Sequence, residues 1–201
     1  FAGGFAVVAA MGFALRSGPV ASVGVFGVLL LLSLLVPRMQ PYWPLPVGVA
    51  VGAFALACRF VPLLGGGMSF LKRGHLDRVT MAGIVGSSAV AAIALAAWFA
   101  VVHPDYSAVR ATLFPALPWP LLMVGVALFA MVNGALEEFV YRGVLLSGLD
   151  AALGASMLPV ILQSVAFGAM HIHGFPSGVT GVALATIYGL MMGLVRRQAG
   201  G

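Results

Sequence analysis

The sequence predicts an all-α protein, a polytopic bundle of about seven membrane-spanning helices. Three observations predict it. The hydrophobic fraction is 62% and the mean hydropathy is +1.11, whereas soluble domains hold about 45–50% apolar residues. Charged residues fill only 7% of the 201 positions, against about 25% in soluble chains. Apolar runs also recur near the length that a spanning helix needs, about 20 residues, and the alternating polarity of a membrane barrel is missing.

The runs follow in order. The first is Phe1 to Leu15. The second is Pro19 to Val36, closed by Pro37. The third is Leu45 to Leu64, ended by the glycines at 65–67. The fourth is Val79 to Val102, closed by "HPD". The fifth begins near Pro120, the sixth is Ala155 to His171, and the seventh is Ser177 to Val195, followed by Arg196 and Arg197. The chain starts inside an apolar run and ends at "RRQAGG", as a fragment trimmed at both ends would. The single cysteine, Cys58, excludes an intrachain disulfide and reads as a small apolar filler.

The formal net charge of +5 is a topology signal and not a nucleic-acid one. Loops after the first, third and seventh runs carry Arg16, Lys72, Arg73, Arg78, Arg196 and Arg197; loops after the second and fourth carry Arg38 and Arg110. Six cations against two place the first set in the cytoplasm, and with it the turn at Gly154. The expected setting is the inner membrane of a bacterium. Trp43, Trp98 and Trp119 fall near the ends of runs, as an aromatic belt requires. Gly143, Gly148, Gly189 and Gly193 are small residues that let helices approach closely.

One stretch breaks the apolar pattern. "GALEEFVYRG", Gly134 to Gly143, holds two glutamates and an arginine. An ionisable residue inside a span costs about 2.5–3.5 kcal/mol on insertion scales, so such residues pair, face a wet cavity or act. In an α-helix Glu138 and Arg142, four apart with the acid N-terminal, form an ion pair in the favoured order. Glu137 points about 100° away and is the less satisfied carboxylate.

A partner for Glu137 lies in "FGAMHIHG". His171 follows 34 residues later, and the midpoint is Gly154, inside the turn-like "LDAALGAS". A hairpin about Gly154 brings Glu137 and His171 to matching depth, where carboxylate and imidazole can hold a water or a divalent metal such as zinc. Phe167, four residues before His171, shares its face and restricts the imidazole. His173 lies two residues on, pointing away, and reads as interfacial or supporting. His75 and His103 read as a solvated loop residue and an interfacial one.

"EEFVYR" matches an EExxxR motif and "FGAMH" an FxxxH motif. In this order, within apolar helices, they resemble those of the CPBP intramembrane protease family, which includes type II CAAX prenyl endopeptidases and bacteriocin-processing or immunity (Abi-like) proteins. The resemblance covers about Ala130 to Gly201. It implies a first part, residues 1–116, of additional spanning helices and a catalytic core over 117–201. It implies an endopeptidase acting on membrane-associated or lipidated peptides, with a peptide or protein substrate in the bilayer. Glu137 then corresponds to the base or water ligand, Glu138 and Arg142 to the second acid and the arginine, and Phe167 and His171 to the second motif. A third motif, HxxxN or HxxxD, is expected beyond Gly201 and would supply a further ligand; the 201-residue chain is accordingly expected to be inactive. HExxH, GxSG and GxGD motifs of other intramembrane proteases are missing from the sequence. Two further classes fit the same Glu/His pair: a transporter or proton relay, and a non-catalytic immunity scaffold.

Overall fold

The computed structural model describes residues 2–72, 74–105, 107, 111 and 117–200. Among them every regular element is helical, as the apolar runs predict. Arg73 and Arg110, two of the loop cations used for orientation, lie outside the described residues.

The helices are α1 (Ala2–Ala14), α2 (Gly18–Leu34), α3 (Leu45–Phe60), α4 (Pro62–Gly67), α5 (Arg78–Val102), α6 (Trp119–Glu137), α7 (Leu146–Leu153), α8 (Met157–Ala169) and α9 (Gly178–Ala199). A π-helical stretch, Glu138–Leu145, joins α6 to α7, and 3₁₀ turns cover Met68–Leu71 and Met170–Ile172. Three helical stretches are long and apolar enough to cross a membrane: Arg78–Val102, Trp119–Leu153 and Gly178–Ala199. The other apolar helices are shorter, at 10–17 residues.

Local chemistry sets the boundaries. Proline opens α2, α3, α4 and α6, where its missing N–H costs nothing. The third apolar run, expected whole from Leu45 to Leu64, breaks at Val61. Pro62 cannot donate to the helix and pushes the preceding residue to extended backbone; Val61 has φ −115° and ψ 98°. Asp77 caps α5 by accepting from the Thr80 amide at 2.8 Å. That bond, foremost among the causes, holds the Asp77 carboxyl below its ordinary pKa. Gly154 ends α7 at φ 79°, a left-handed-side value that glycine adopts without a Cβ penalty.

The chain forms two compact units, residues 1–68 with 105–140 and residues 69–104 with 141–201. In the first, α1 and α2 pack with almost no side chain between them. A Cβ on Gly12 would lie 2.2 Å from the Ala21 amide nitrogen. Phe26 of α2, Phe54 of α3 and Phe139 form a ring cluster, with centroids 5.7–6.2 Å apart. It sets Phe139, next to Glu138, against α2 and α3.

In the second unit α8 lies along α9. Gly189 and Gly193 are the close-approach positions predicted from their size. A Cβ on Gly193 would fall 2.8 Å from Val160 Cγ1, and one on Gly189 3.1 Å from the Ser164 Cα. Gly143 seats the Phe70 ring at 2.7 Å from where its Cβ would be. Trp98 departs from the aromatic-belt expectation. It is 5% exposed, its indole N–H donates to Thr180 Oγ1 at 3.1 Å, and its ring meets Phe175 at 5.7 Å. A satisfied N–H removes the reason for the indole to seek the headgroups.

Candidate functional site

In the first unit, Glu137 is the last residue of α6 and is half-buried. Asn133, one turn earlier on the same face, donates from Nδ2 to Glu137 Oε1 at 2.8 Å. Asn133 Oδ1 in turn accepts from the indole N–H of Trp43 at 2.8 Å. The amide orientation follows from chemistry, because an indole only donates and a carboxylate only accepts. This relay holds one carboxylate oxygen and fixes the side chain. Asn133 escaped the sequence reading. Its signal was the i, i+4 spacing to Glu137, which is the spacing of helix-face amide–carboxylate pairs.

Glu138 is half-buried too, and the winding changes there. The four-residue arithmetic that matched Glu138 to Arg142 is that of an α-helix. From Glu138 to Leu145 the backbone is π-helical, with a five-residue hydrogen-bond repeat. No residue type in "EFVYRGVL" announces this, and the wider turn is a property of the folded chain. Such turns occur frequently at functional sites.

In the second unit the aromatic residues gather around one arginine. Arg142 is 1% exposed. Its guanidinium carbon lies 4.6 Å from the Phe167 ring centroid and 5.7 Å from that of Tyr188. Stacking on desolvated rings contributes about 2 kcal/mol in favourable cases, which helps offset burial of the cation. Phe167, 3% exposed, also meets the Tyr141 ring at 5.0 Å and the His171 ring at 4.8 Å. The FxxxH spacing thus puts Phe167 against the imidazole, as its shared helical face requires. Tyr141 and Tyr188 were not singled out from sequence. Each is one aromatic among many in an apolar chain, and only packing distinguishes them.

His171 sits past the end of α8, in the 3₁₀ turn Met170–Ile172. Its Nδ1 is 3.0 Å from the Phe167 carbonyl oxygen. A carbonyl can only accept, so Nδ1 carries a proton in this bond, and the tautomer that it selects has its lone pair on Nε2. This is the arrangement that orients a metal-binding or base histidine. His173 is exposed, in keeping with an interfacial residue, and makes no described hydrogen bond.

The second unit therefore brings together Tyr141, Arg142, Phe167, His171 and Tyr188, while the first positions Glu137 beside Asn133. An oriented imidazole lone pair and a carboxylate with one oxygen already held are groups suited to moving a proton. For a metal the donor set is short. Catalytic zinc takes three protein ligands, and among the described residues no three His, Cys, Asp or Glu side chains are grouped to hold an ion.

No curated protein and no solved structure matches the chain. A family model does, over residues 117–201: Rce1-like, type II CAAX prenyl endopeptidase Rce1-like. The matched segment contains both polar motifs, the π-helical turn and the arginine stacked on Phe167. Residues 117–201, less than half of the chain, are thus similar to the type II CAAX prenyl endopeptidases of the Rce1-like family.

Proposed function

We propose that the protein is an intramembrane endopeptidase that cleaves membrane-associated or lipidated peptides with a water activated by Glu137. Amide hydrolysis at neutral pH needs a better nucleophile than water. A carboxylate within about 3.2 Å of the water can take its proton as it attacks the scissile carbonyl, and then pass that proton to the leaving amine. Asn133 donates to Oε1 of Glu137, which fixes the carboxylate for this role. His171 accepts a hydrogen bond from the same water through Nε2 and orients it. Arg142 and Phe167 position the imidazole through the stacked rings. The proposal requires that Glu137 and His171 serve one water.

The observation that carries this reading is the His171 tautomer. Its Nδ1–H is committed to the Phe167 carbonyl, so Nε2 is aimed as an acceptor, which a merely packed histidine does not require. A divalent ion such as zinc would use the same Nε2 and the Glu137 carboxylate, with a third donor from outside the described residues.

The test is cleavage of a lipidated fluorogenic peptide by the purified protein in detergent micelles. Glu137→Gln is expected to lower turnover by about 100-fold or more, the range of general-base effects, with unchanged folded yield. Wild-type turnover in that variant would overturn the assignment. Full activity after dialysis against a chelator would leave the carboxylate as the sole activator, and loss restored by zinc would assign the ion.

A further inference from the structure

The turn that carries His171 has an anchor outside the two helices that it joins. Between α8 and α9, residues 172–175 are exposed. Two contacts hold this stretch in place. The Pro176 carbonyl oxygen lies so close to α9 that a Cβ on Gly181 would fall 2.0 Å from it. Phe175 lies against Trp98 and Phe99 near the end of α5, with ring centroids 5.7 and 5.6 Å away. The first contact is local to the hairpin. The second comes from a distant part of the sequence, outside the residues 117–201 that resemble the endopeptidase family.

Trp98 is itself fixed. Its ring is 5% exposed and meets the Phe99 ring edge-on at 5.6 Å. Its indole N–H donates to Thr180 Oγ1, in the first turn of α9, at 3.1 Å. The end of α5, the turn and the start of α9 thus converge on one indole. A packed ring with its N–H satisfied keeps one orientation, and it presents a fixed face to Phe175.

The position of Phe175 bears directly on His171. The chain folds back tightly between them: a Cβ on Gly174 would come within 3.2 Å of both the His171 Cα and the Met170 carbonyl oxygen. Residues 171–175 therefore form one compact turn, and what holds Phe175 also holds the His171 backbone. From that backbone the imidazole reaches the Phe167 carbonyl through Nδ1 at 3.0 Å.

We propose that Trp98 is a positioning residue for His171. Through Phe175 it clamps the turn in the conformation that commits Nδ1–H to Phe167 and leaves Nε2 as the acceptor. The catalytic consequence rests on the role given to His171 above; the clamp does not.

Nitrogen NMR of the purified protein, labelled at its imidazoles and held in nonionic micelles, reads the tautomer of the His171 ring. The measurement is made at about pH 8, above the ordinary histidine pKa of about 6.5, and His171→Gln identifies the signal among the four histidines. The Nδ1–H form is expected to dominate in the parent. Trp98→Leu and Phe175→Leu should each lower the ratio of the Nδ1–H to the Nε2–H form by about two- to tenfold, the equilibrium weight of one aromatic pair. Phe175 is 45% exposed, so its variant reads the clamp even where Trp98→Leu folds poorly. Trp98→Phe keeps a ring at the contact and should stay within about twofold of the parent. The double variant should fall no further than the single ones, because both remove the same contact. An unchanged ratio in folded Phe175→Leu, or additive losses in the double variant, overturns the clamp. In the peptide-cleavage assay Trp98→Leu should lower kcat and leave KM unchanged. A shifted tautomer ratio with unchanged kcat supports the clamp and overturns the role of His171 in the reaction.

Discussion

Gly168→Ala is the sharpest probe of the helix pair that carries His171. Gly168 lies on α8, three residues before the histidine. A Cβ at this position would fall 1.9 Å from Thr186 Oγ1 and 2.7 Å from the Val182 carbonyl oxygen. Ordinary contact begins at 3.4 Å, so the shortfalls are 1.5 Å (3.4 − 1.9) and 0.7 Å (3.4 − 2.7). Thr186 can swing its hydroxyl away only by giving up its own 2.8 Å bond to Val182 O. The carbonyl is helix backbone and cannot swing at all. α8 and α9 must therefore part, which also loosens the close contacts at Gly189 and Gly193. Overpacking typically costs about 1–3 kcal/mol, and a backbone clash with no rotamer escape belongs at the upper end, about 2–3 kcal/mol. In a chain of this size that lowers Tm by roughly 5–10 °C. Thermal unfolding of the purified chain in micelles, followed by helical circular dichroism, measures it. The double variant Gly168→Ala/Thr186→Ala should recover part of the loss and not all, because Val182 O remains. A Gly168→Ala protein within about 0.5 kcal/mol of the parent, the range of bland surface changes, would refute the close-packed α8–α9 interface. Complete recovery in the double variant would refute the backbone part of the argument.

Gln163 is fully buried; its Nε2 donates to Gly189 O at 2.9 Å and to Ser164 Oγ at 2.8 Å, while Oε1 has no hydrogen-bond partner among the described residues. An interhelical bond in a membrane averages about 0.6 kcal/mol, and an unmet buried acceptor costs about 1–3 kcal/mol. Gln163→Met should therefore be neutral or stabilising in SDS titration, and a loss above about 2 kcal/mol would show that Oε1 is engaged. The Asp77 cap should be pH-dependent. Its folded pKa is depressed by the Thr80 amide bond, so its contribution is complete above the unfolded value of about 3.9 and is lost as pH falls through the lower folded value. Protection of the Thr80 amide, its exchange rate relative to the intrinsic rate at each pH, should hold at pH 5 and fall on acidification below about pH 4, whereas Asp77→Asn should abolish that dependence; equal pH profiles of protection would refute the cap. Finally, a reporter fused after Asp150 should read out as cytoplasmic, and periplasmic activity would reverse the proposed orientation.

The sequence by itself determined the class and the order of the helices. Apolar runs bounded by Pro37 and Gly154 are local features, and backbone hydrogen bonding within a bilayer leaves the helix as the way to satisfy them. It also determined which residues are chemically unusual, since Glu137, Glu138, Arg142 and His171 are expensive in an apolar chain and so conspicuous. The FxxxH spacing was legible for the same reason: Phe167 and His171 share a face in any helical winding close to α.

The tertiary structure decided the rest. The π-helical turn at Glu138–Leu145 changes which residues are in register, and helix type depends on packing that no single residue encodes. Asn133 became a support for Glu137 only because Trp43, 90 residues earlier in sequence, supplies the other hydrogen bond. Tyr141 and Tyr188 matter because two helices and a turn bring them to Phe167 and Arg142. Trp98 turned inward because Thr180 accepts its N–H. Arg196 and Arg197, which read as topology markers, line one groove with Lys72 and Ser147 because α9 ends beside them. In each case the deciding partner is distant in sequence, and its distance is set by how the helices pack.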